Sequence, residues 1–247
     1  MRRERLGRLL ACLDLTRLTP GDSADDVAAF CTTADTRHGT PAAVCVLPDF
    51  VDRAVATLRR SKRLAGVRVA TVANFPDGDQ TADAVFATID RSLEAGADEI
   101  DLVLPWREVA EGRTDRAAGL LAGARTRCGD ATLKVILETG ALDPVGIERA
   151  ATLALDHGAD FLKTSTGVGH PGADPEAAGR LLDRIDAAGV DCGLKVSGGL
   201  RTPQAADVYL ALAERRMGPA WPTPERFRIG ASSLFDGLIE ALDSPES

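Results

Sequence analysis

The chain has 247 residues, of which 45% are apolar and 27% charged, and a chain of this size and composition folds as a globular protein with one large core or two small ones. A net charge of −8 argues against a nucleic-acid-binding role, because that role favours a basic face. The five cysteines form no Cys-x-x-Cys pair and no apolar run reaches the roughly 20 residues that span a bilayer, so we expect a soluble cytoplasmic protein with reduced thiols and no membrane partner.

Short apolar segments recur along the chain, and each is followed by a loop and a segment with apolar residues at helical spacing. In chain order, the predicted strands are Leu10–Leu13, Ala43–Leu47, Val67–Val72, Glu99–Leu104, Leu133–Leu137, Phe161–Thr164, Gly193–Val196 and Phe227–Ile229. Their nearly continuous apolar character is typical of parallel strands that are covered on both faces. Helix starts are predicted at Asp143-Pro144, Asp174-Pro175 and Thr202-Pro203, where an N-cap residue precedes a proline.

Eight strand–helix units in about 250 residues favour an α/β fold with one domain, a (β/α)₈ TIM barrel over residues 1–247. The competing architecture is a doubly wound sheet, which is disfavoured because no Gly-x-Gly-x-x-Gly follows the first strand. An internal repeat supports the barrel, since Gly96–Asp101 aligns with Gly158–Lys163 two units later. The alignment places Asp101 and Lys163 at equivalent positions of strands four and six, whose inward side chains share a layer of a barrel.

Three of the four lysines, Lys134, Lys163 and Lys195, lie inside predicted apolar strands, whereas Lys62 has a polar setting. A buried lysine is costly unless its charge is paired or its pKa falls. Three such residues on successive strands predict one site, in which Lys163 faces Asp101 and neighbours a second ammonium group. A neutral lysine can attack a carbonyl group to form an imine, and a carboxylate can move the protons. The alternative is that Lys163 and Asp101 form a structural ion pair in the core.

Two glycine-containing turns, Ser197–Arg201 and Gly230–Ser233, end the last two predicted strands. The loops after strands seven and eight are the usual phosphate site of a barrel, and a helix that begins near Ser232 would add N–H donors. Together with Arg201, these turns predict a phosphorylated small-molecule substrate. The three histidines have no metal-ligand spacing, so neither a metal nor another cofactor is expected.

Motifs along the chain, from about Leu13 to Leu242, resemble those of the 2-deoxyribose-5-phosphate aldolase family. They are Leu13-Asp14-Leu15-Thr16, Val44-Cys45-Val46, Val72-Ala73-Asn74-Phe75-Pro76, Glu99-Ile100-Asp101-Leu102-Val103, Leu133 to Gly140, Phe161 to Gly167, Leu194 to Arg201 and Arg228 to Ser233. The resemblance implies a class I aldolase on a (β/α)₈ barrel. Such an enzyme cleaves 2-deoxy-D-ribose 5-phosphate reversibly to acetaldehyde and D-glyceraldehyde 3-phosphate, in deoxyribose phosphate catabolism. The resemblance also allows a homo-oligomer, either a dimer or a tetramer.

The resemblance assigns a role to each matched residue. Lys163 would form the Schiff base, Lys195 would lower the pKa of Lys163, and Asp101 would relay protons. The residues implied to contact or orient the substrate are Asp14, Lys134, Thr166 and Cys45. The residues implied to hold the phosphate are Gly167, Gly199, Arg201, Gly230, Ser232 and Ser233.

The sequence departs from some family members at two places. After Thr166-Gly167 those members carry a lysine that reaches the phosphate, where this chain has Val168, so Arg201 is expected to be the only long basic side chain there. Some members end in a tail whose tyrosine assists proton transfer, whereas this sequence ends Asp243-Ser244-Pro245-Glu246-Ser247 and its single tyrosine is Tyr209. Two other functions stay open: a Schiff-base aldolase of the same barrel with a different sugar phosphate or keto acid, and a non-catalytic phosphosugar-binding barrel whose lysines only neutralise an anion.

Overall fold

Eight parallel strands close into a barrel in the computed structural model, which describes residues 1–244. The strands are β1 Leu13–Arg17, β2 Ala43–Val46, β3 Arg68–Ala73, β4 Glu99–Val103, β5 Thr132–Ile136, β6 Phe161–Lys163, β7 Gly193–Ser197 and β8 Phe227–Ala231. Each strand pairs with the next one in the chain, and β8 pairs with β1. The predicted (β/α)₈ barrel is therefore confirmed. Residues 245–247, the end of the tail considered above, lie outside the described residues.

Helices follow the strands and cover the outside of the barrel. They are α1 Arg3–Ala11, α2 Ala24–Thr33, α3 Val51–Leu58, α4 Ala82–Glu94, α5 Trp106–Ala110, α6 Asp115–Cys128, α7 Pro144–Asp156, α8 Pro175–Ala188, α9 Pro203–Met217 and α10 Leu234–Asp243. α1 precedes the first strand and packs against α9 and α10. Within the described part of the chain, no helix combines the length and the apolar character that crossing a membrane requires.

The strands read as continuously apolar because both of their faces are buried. Outward residues such as Val44 and Val46 pack under the helices in the main core. The inward residues of β2 and β3 form a small apolar cluster, which consists of Ala43, Cys45, Ala70 and Val72. The inward positions of the other strands carry most of the buried charged residues. The barrel interior is therefore apolar at β2 and β3 and ionic along the other strands.

Three helix starts were predicted from an N-cap residue followed by proline, and all three are confirmed. The side chains of Asp143, Asp174 and Thr202 each accept a hydrogen bond from the backbone N–H three residues later. In each case proline occupies the first turn, where its missing N–H costs nothing. These caps fix where the connections after β5, β6 and β7 end.

The first predicted strand, Leu10–Leu13, is wrong: Leu10 lies in α1, and β1 begins only at Leu13. Leu6, Leu9 and Leu10 are buried at the spacing of a helical face, so the apolar run belongs to a helix. The true strand contains Asp14 and ends in Thr16 and Arg17, and its polar residues hid it from a search for apolar runs. As a consequence, Asp14 lies within the strand.

Candidate active site

Lys163, the last residue of β6, lies inside the barrel with 4% of its surface exposed. Its Nζ donates a hydrogen bond to Oδ2 of Asp101 over 2.7 Å. Lys195 is the residue paired with Lys163 on the neighbouring strand β7, and its Nζ lies 2.7 Å from the same Oδ2. The other carboxylate bound to Lys195 is Asp14, with Oδ2 at 2.5 Å. Two lysine nitrogens thus meet at one carboxylate oxygen, the juxtaposition that the sequence predicts.

Lys134 occupies the matching inward position of β5, where it pairs with Asp101 in the sheet register. Its Nζ lies 2.8 Å from Oδ1 of Asp101, 2.5 Å from Oε2 of Glu99 and 3.6 Å from Oδ2 of Asp14. The side chain is fully buried. Lys134 therefore belongs to the charge network, as the resemblance implies, and contacts three carboxylates.

Two members of this network, Glu99 and Arg228, have no role in the predictions from sequence. Nη1 of Arg228 lies 2.7 Å from Oδ1 of Asp14, and its Nη2 lies 2.9 Å from Oε1 of Glu99. Both residues lie in strands among apolar neighbours, in Glu99-Ile100 and Phe227-Arg228-Ile229. The criterion that selected the lysines, a charged residue in an apolar strand, would have found both.

The three buried lysines differ in the direction of their pKa shifts. Burial lowers the pKa of Lys163, the Asp101 carboxylate opposes this, and the Lys195 ammonium group lowers it further, so the net direction is downward. Burial acts in the same sense on Lys195, but the carboxylates of Asp101 and Asp14 outweigh it, and the pKa of Lys195 is raised. The pKa of Lys134 is raised as well, because Asp101 and Glu99 outweigh its burial. Only Lys163 is shifted toward the free amine.

A cavity of about 630 Å³ opens above Lys163, a size that suits a small metabolite. Its wall contains Thr166 and all six residues predicted to hold a phosphate: Gly167, Gly199, Arg201, Gly230, Ser232 and Ser233. Asp14, Asp101, Lys134, Lys195 and Cys45 are fully buried and are not among the residues of this wall. The structure therefore places the candidate nucleophile on the floor of the cavity and the rest of the charge network beneath it.

The end of the cavity near β7 and β8 combines a glycine turn with a helix N-terminus, an arrangement that can hold an anion. Gly198 and Gly199 have φ values of 94° and 78°, which favour glycine, and an added Cβ at Gly198 would come within 2.7 Å of the Gly172 Cα. Ser233 is the N-cap of α10 but makes no capping hydrogen bond with its side chain. Free N–H groups at a helix N-terminus attract anions through their dipoles.

Gly230 has a second role beneath the cavity. A Cβ at this position would lie 2.9 Å from Cε of Lys195 and 3.0 Å from Cβ of Ser197. Such distances are shorter than normal carbon–carbon contacts, so the absence of a side chain leaves the space that Lys195 fills. Gly230 therefore lines the cavity and also leaves room for the side chain of Lys195, a candidate catalytic lysine.

The cavity wall contains a second arginine, Arg17 at the end of β1, which the sequence analysis did not consider. Its Nε and Nη2 bind the two carboxylate oxygens of Asp22 at 2.7 and 2.8 Å. Arg201 thus shares the cavity wall with a second arginine, and its role as the only long basic side chain that reaches the anion stays a prediction. Arg201 differs from Arg17 because the carboxylate of Asp22 already neutralises the Arg17 guanidinium.

Thr166 is held in place by Glu138, which also escaped the sequence analysis. The Thr166 hydroxyl donates to Oε2 of Glu138 over 2.6 Å, and the Thr166 backbone N–H donates to the same carboxylate. Glu138 is buried and has a φ of 56°, a left-handed conformation that is costly for a residue with a side chain. The Thr166 hydroxyl oxygen accepts a hydrogen bond from the Val168 N–H over 3.1 Å, which leaves one lone pair for a donor on a ligand.

Comparison with known proteins shows the family of the chain. Residues 10–220 match the model of a family described as DeoC/LacD family aldolase. The chain belongs to this family. The family expectation drawn from the ordered motifs is therefore confirmed.

Individual relatives resemble the chain over nearly its whole length. A curated deoxyribose-phosphate aldolase from Agrobacterium fabrum (strain C58) is 40% identical over 246 residues, which cover 99% of this chain and 94% of the relative. A provisionally assigned deoxyribose-phosphate aldolase from Toxoplasma gondii ME49 superimposes with a TM-score of 0.89 at 30% identity, covering 99% of this chain and 98% of that one. The deoxyribose phosphate aldolase of Aeropyrum pernix, described as a unique tetrameric structure, gives a TM-score of 0.75 at 25% identity and covers 98% and 99%.

Proposed function

We propose that the chain is a class I deoxyribose-phosphate aldolase, which cleaves 2-deoxy-D-ribose 5-phosphate reversibly to acetaldehyde and D-glyceraldehyde 3-phosphate and serves deoxyribose phosphate catabolism. The observation that carries this proposal is a lysine with a lowered pKa on the floor of a cavity whose opposite end is built for an anion. The 40% identity to a deoxyribose-phosphate aldolase supports the choice of substrate.

The reaction begins with Lys163 as a free amine. Its nitrogen attacks the aldehyde carbon of the open-chain sugar, and loss of water gives a protonated imine. The protonated imine accepts the electron pair of the bond between C2 and C3 when that bond breaks, the C3 hydroxyl gives up its proton to a base, and glyceraldehyde 3-phosphate leaves. The remaining enamine takes a proton at carbon, and hydrolysis then releases acetaldehyde and restores the amine.

Asp101 is the proposed proton carrier. Burial raises its pKa, but the three lysines around it outweigh that effect and hold the pKa well below its usual range. The resting residue is therefore a carboxylate, which accepts a proton before it can donate one. Its Oδ2 lies 2.7 Å from Nζ of Lys163, within reach of the proton that the attacking amine loses.

Lys195 is proposed to act through its charge. Its Nζ is bound to both Asp14 and Asp101, so its electron pair is not available for attack on a carbonyl. The fixed ammonium group opposes protonation of Lys163. In this proposal Asp14 and Lys134 hold Lys195 and Asp101 in position and Thr166 borders the substrate, while Cys45 lies buried behind the cavity wall.

The phosphate is proposed to bind at the end of the cavity formed by the turns after β6, β7 and β8. The contributing residues are Gly167, Gly199, Arg201, Gly230, Ser232 and Ser233. Backbone N–H groups of the glycine turns and the α10 N-terminus would contact the phosphate oxygens. Arg201 would add the charge that Val168 does not supply.

The alternative of a non-catalytic phosphosugar-binding barrel fits the geometry less well. Lysines that neutralise a bound anion would line the cavity, yet Lys134 and Lys195 are fully buried and contact carboxylates instead. Lys163 lines the cavity, but its Nζ is bound to the Asp101 carboxylate. A different sugar phosphate or keto acid as the substrate of the same Schiff-base chemistry is tested by identifying the products.

Imine trapping tests the proposal directly. Treatment with acetaldehyde and borohydride should add one ethyl group to the protein, and peptide mapping should locate it on Lys163. Lys163→Leu should abolish both the mass gain and the cleavage of deoxyribose 5-phosphate. The matched control is Lys62→Leu, because Lys62 is an exposed lysine far from the site in sequence. Trapping that persists in Lys163→Leu would move the covalent role to another lysine, with Lys195 the first candidate.

We also propose that the protein is a cytoplasmic homo-oligomer, either a dimer or a tetramer. The tetrameric Aeropyrum pernix relative supports assembly. The five cysteines are all unpaired and buried, which suits a reducing compartment. Light scattering should give the mass of a dimer or a tetramer, and cell fractionation should recover the protein with the cytoplasm. A monomer at assay concentrations would contradict the proposed assembly.

A further inference from the structure

The ions beneath the cavity form one continuous set of salt bridges, which we name the buried ion-pair network. Its members are Asp14, Glu99, Asp101, Lys134, Lys163, Lys195 and Arg228. Every member exposes 5% of its surface or less. With Lys163 neutral, three cationic side chains face three carboxylates, and the network carries no net charge. A proton on Lys163 would add one uncompensated charge to a site that water hardly reaches.

Glu99 and Arg228 form the part of the network that is furthest from the chemistry. Glu99 begins β4, two residues before Asp101, and no ion pair joins either Glu99 or Arg228 to Lys163 within residues 1–244. Arg228 binds Asp14 and Glu99, while Glu99 binds Lys134. The pair therefore contacts the partners of Lys163 without touching Lys163 or lining the cavity.

We propose that Glu99 and Arg228 are a positioning pair: they complete the buried ion-pair network so that its charges balance when Lys163 is an uncharged amine. The value of that state rests on the proposed function, since a free amine is what imine formation requires. The two residues also hold two other members in place, because Arg228 binds Asp14, a partner of Lys195, and Glu99 binds Lys134, a partner of Asp101.

The other titratable groups near Lys163 do not alter this balance. Cys45, inward from β2, is kept as a neutral thiol because burial raises its pKa to about 11. Glu138, which follows β5, accepts hydrogen bonds from Thr166 and forms no salt bridge with the network in the described chain. The remaining inward groups that face Lys163, from β1, β4, β5, β7 and β8, are the network members themselves.

Removal of one charge at a time gives shifts of opposite sign. Arg228→Gln leaves a net negative network, which favours an ammonium group at Lys163 and should raise its titration midpoint. Glu99→Gln leaves a net positive network and should lower the midpoint. Over separations of several ångströms inside a protein, one charge changes a midpoint by about one pH unit. The double variant is neutral again, so its midpoint should return close to that of the unmodified protein.

Competitive labelling of the folded protein with acetic anhydride across a pH series measures this midpoint, with Lys163 followed by peptide mass spectrometry. The readout follows the ionisation of Lys163 even if the chain does not cleave deoxyribose 5-phosphate. The charge-conserving variants Arg228→Lys and Glu99→Asp should have midpoints close to that of the unmodified protein. Purely structural damage would not spare them in this way.

The outcome separates the two proposals. Opposed shifts in the single variants and recovery in the double variant would support the positioning pair, whether or not imine trapping succeeds. Shifts in the same direction, or none, would overturn it and leave imine trapping as the test of the aldolase function. A single variant can fail to fold, because it leaves one partner of a buried pair without its counter-charge. In that case the double variant and the charge-conserving variants decide. A double variant that folds with a shifted midpoint would overturn the proposal.

Discussion

Lys163, Lys195 and Lys134 are chemically identical side chains that differ in how many carboxylates each one contacts. Lys163 contacts Asp101 alone, Lys195 contacts two carboxylates and Lys134 contacts three. All three are buried, so desolvation acts against the charge on each of them. A single carboxylate, shared with a second ammonium group, is too little to offset burial. In the proposed reaction, the number of acidic partners would therefore select which lysine is the nucleophile.

Replacement of Lys195 by leucine tests this explanation. Removal of its charge should raise the pKa of Lys163, so activity near neutral pH should fall steeply and part of it should return at alkaline pH. The measurement is kcat/KM for deoxyribose 5-phosphate from about pH 6 to 9, a range in which a tuned lysine base titrates. The control is Lys62→Leu. A profile without alkaline recovery would leave geometry or proton transfer, rather than charge, as the role of Lys195.

Arg201 should determine affinity for the phosphate and little else. Charge-assisted hydrogen bonds contribute about 1.5 to 3 kcal/mol, so Arg201→Ala should weaken apparent substrate affinity by roughly ten- to a hundred-fold. Activity on unphosphorylated 2-deoxyribose, a poor substrate, should hardly change. Arg17→Ala is the matched comparison and should have the smaller effect, because Asp22 already binds the Arg17 guanidinium. Equal losses on both sugars would point to general destabilisation.

Residues of the candidate site were predictable one by one where a charged side chain interrupts an apolar strand. That rule found Lys134, Lys163 and Lys195, and it would have found Glu99 and Arg228 had it been applied to every charged residue. Arg17 was not predictable in this way, because it ends a strand that the apolar pattern misplaced. Its presence in the cavity wall depends on the closure of the barrel between β8 and β1.

At the scale of elements, seven of the eight strands were predicted close to their observed bounds because burial on both faces makes them apolar throughout. β1 was missed because its inward residues, Asp14 and Thr16, are polar and because the helix before it supplied a stronger apolar run. Tertiary pairing of Asp14 with Lys195 and Arg228 makes this strand stable. Such pairing is a property of distant strands and leaves no local signal in the sequence.

Helix α6 provides a test of packing at this scale, because it contains Gly119 and Gly123 one turn apart. A Cβ at Gly119 would meet no atom within 4 Å, so Gly119→Ala should stabilise the protein by roughly 0.5 to 1 kcal/mol through reduced chain entropy. A Cβ at Gly123 would come 2.3 Å from Cζ of Phe86, a ring that also stacks under the Arg127 guanidinium at 4.0 Å. Gly123→Ala should therefore destabilise, by about 1 to 3 kcal/mol of overpacking less the entropic gain.

Urea unfolding of the two α6 variants measures this difference under identical conditions. Both variants replace glycine by alanine in the same helix, so the gain in intrinsic helix propensity is the same in each and cancels when their stabilities are compared. Equal stabilisation by both would show that the Phe86 ring moves aside without cost.

At the scale of the whole molecule, the barrel was predictable from the number and spacing of its units, but its division into an apolar part and an ionic part was not. The inward residues of β2 and β3 are small and apolar, whereas β1, β4, β5, β6, β7 and β8 contribute the buried charges. Only closure of β8 onto β1 brings Arg228 next to Asp14. The function therefore depends on the complete ring of strands.

Five buried thiols predict that the folded protein loses stability in alkaline solution. Burial raises the pKa values of Cys31, Cys45 and Cys128 to about 11 and those of Cys12 and Cys192 to about 12. In the unfolded chain a thiol titrates near about 8.5. A raised folded pKa contributes stability that is complete below the unfolded value and is lost as the pH rises toward the folded value. The free energy of unfolding should therefore fall from about pH 8.5 upward, by as much as about 1.4 kcal/mol per pH unit for each thiol.

Lys163 works in the opposite direction, since its lowered pKa makes the folded state bind fewer protons than the unfolded one, but it offsets at most one thiol. The raised pKa values of Lys134, Lys195 and Tyr209 act only as the pH approaches about 10, where these groups titrate in the unfolded chain. Urea unfolding under reducing conditions between about pH 8 and 10 therefore isolates the thiols. Cys31→Ala, far from the ionic network, should reduce the pH slope by the share of one thiol even if it lowers stability at neutral pH. A slope unchanged by that substitution would mean that another group loses the proton.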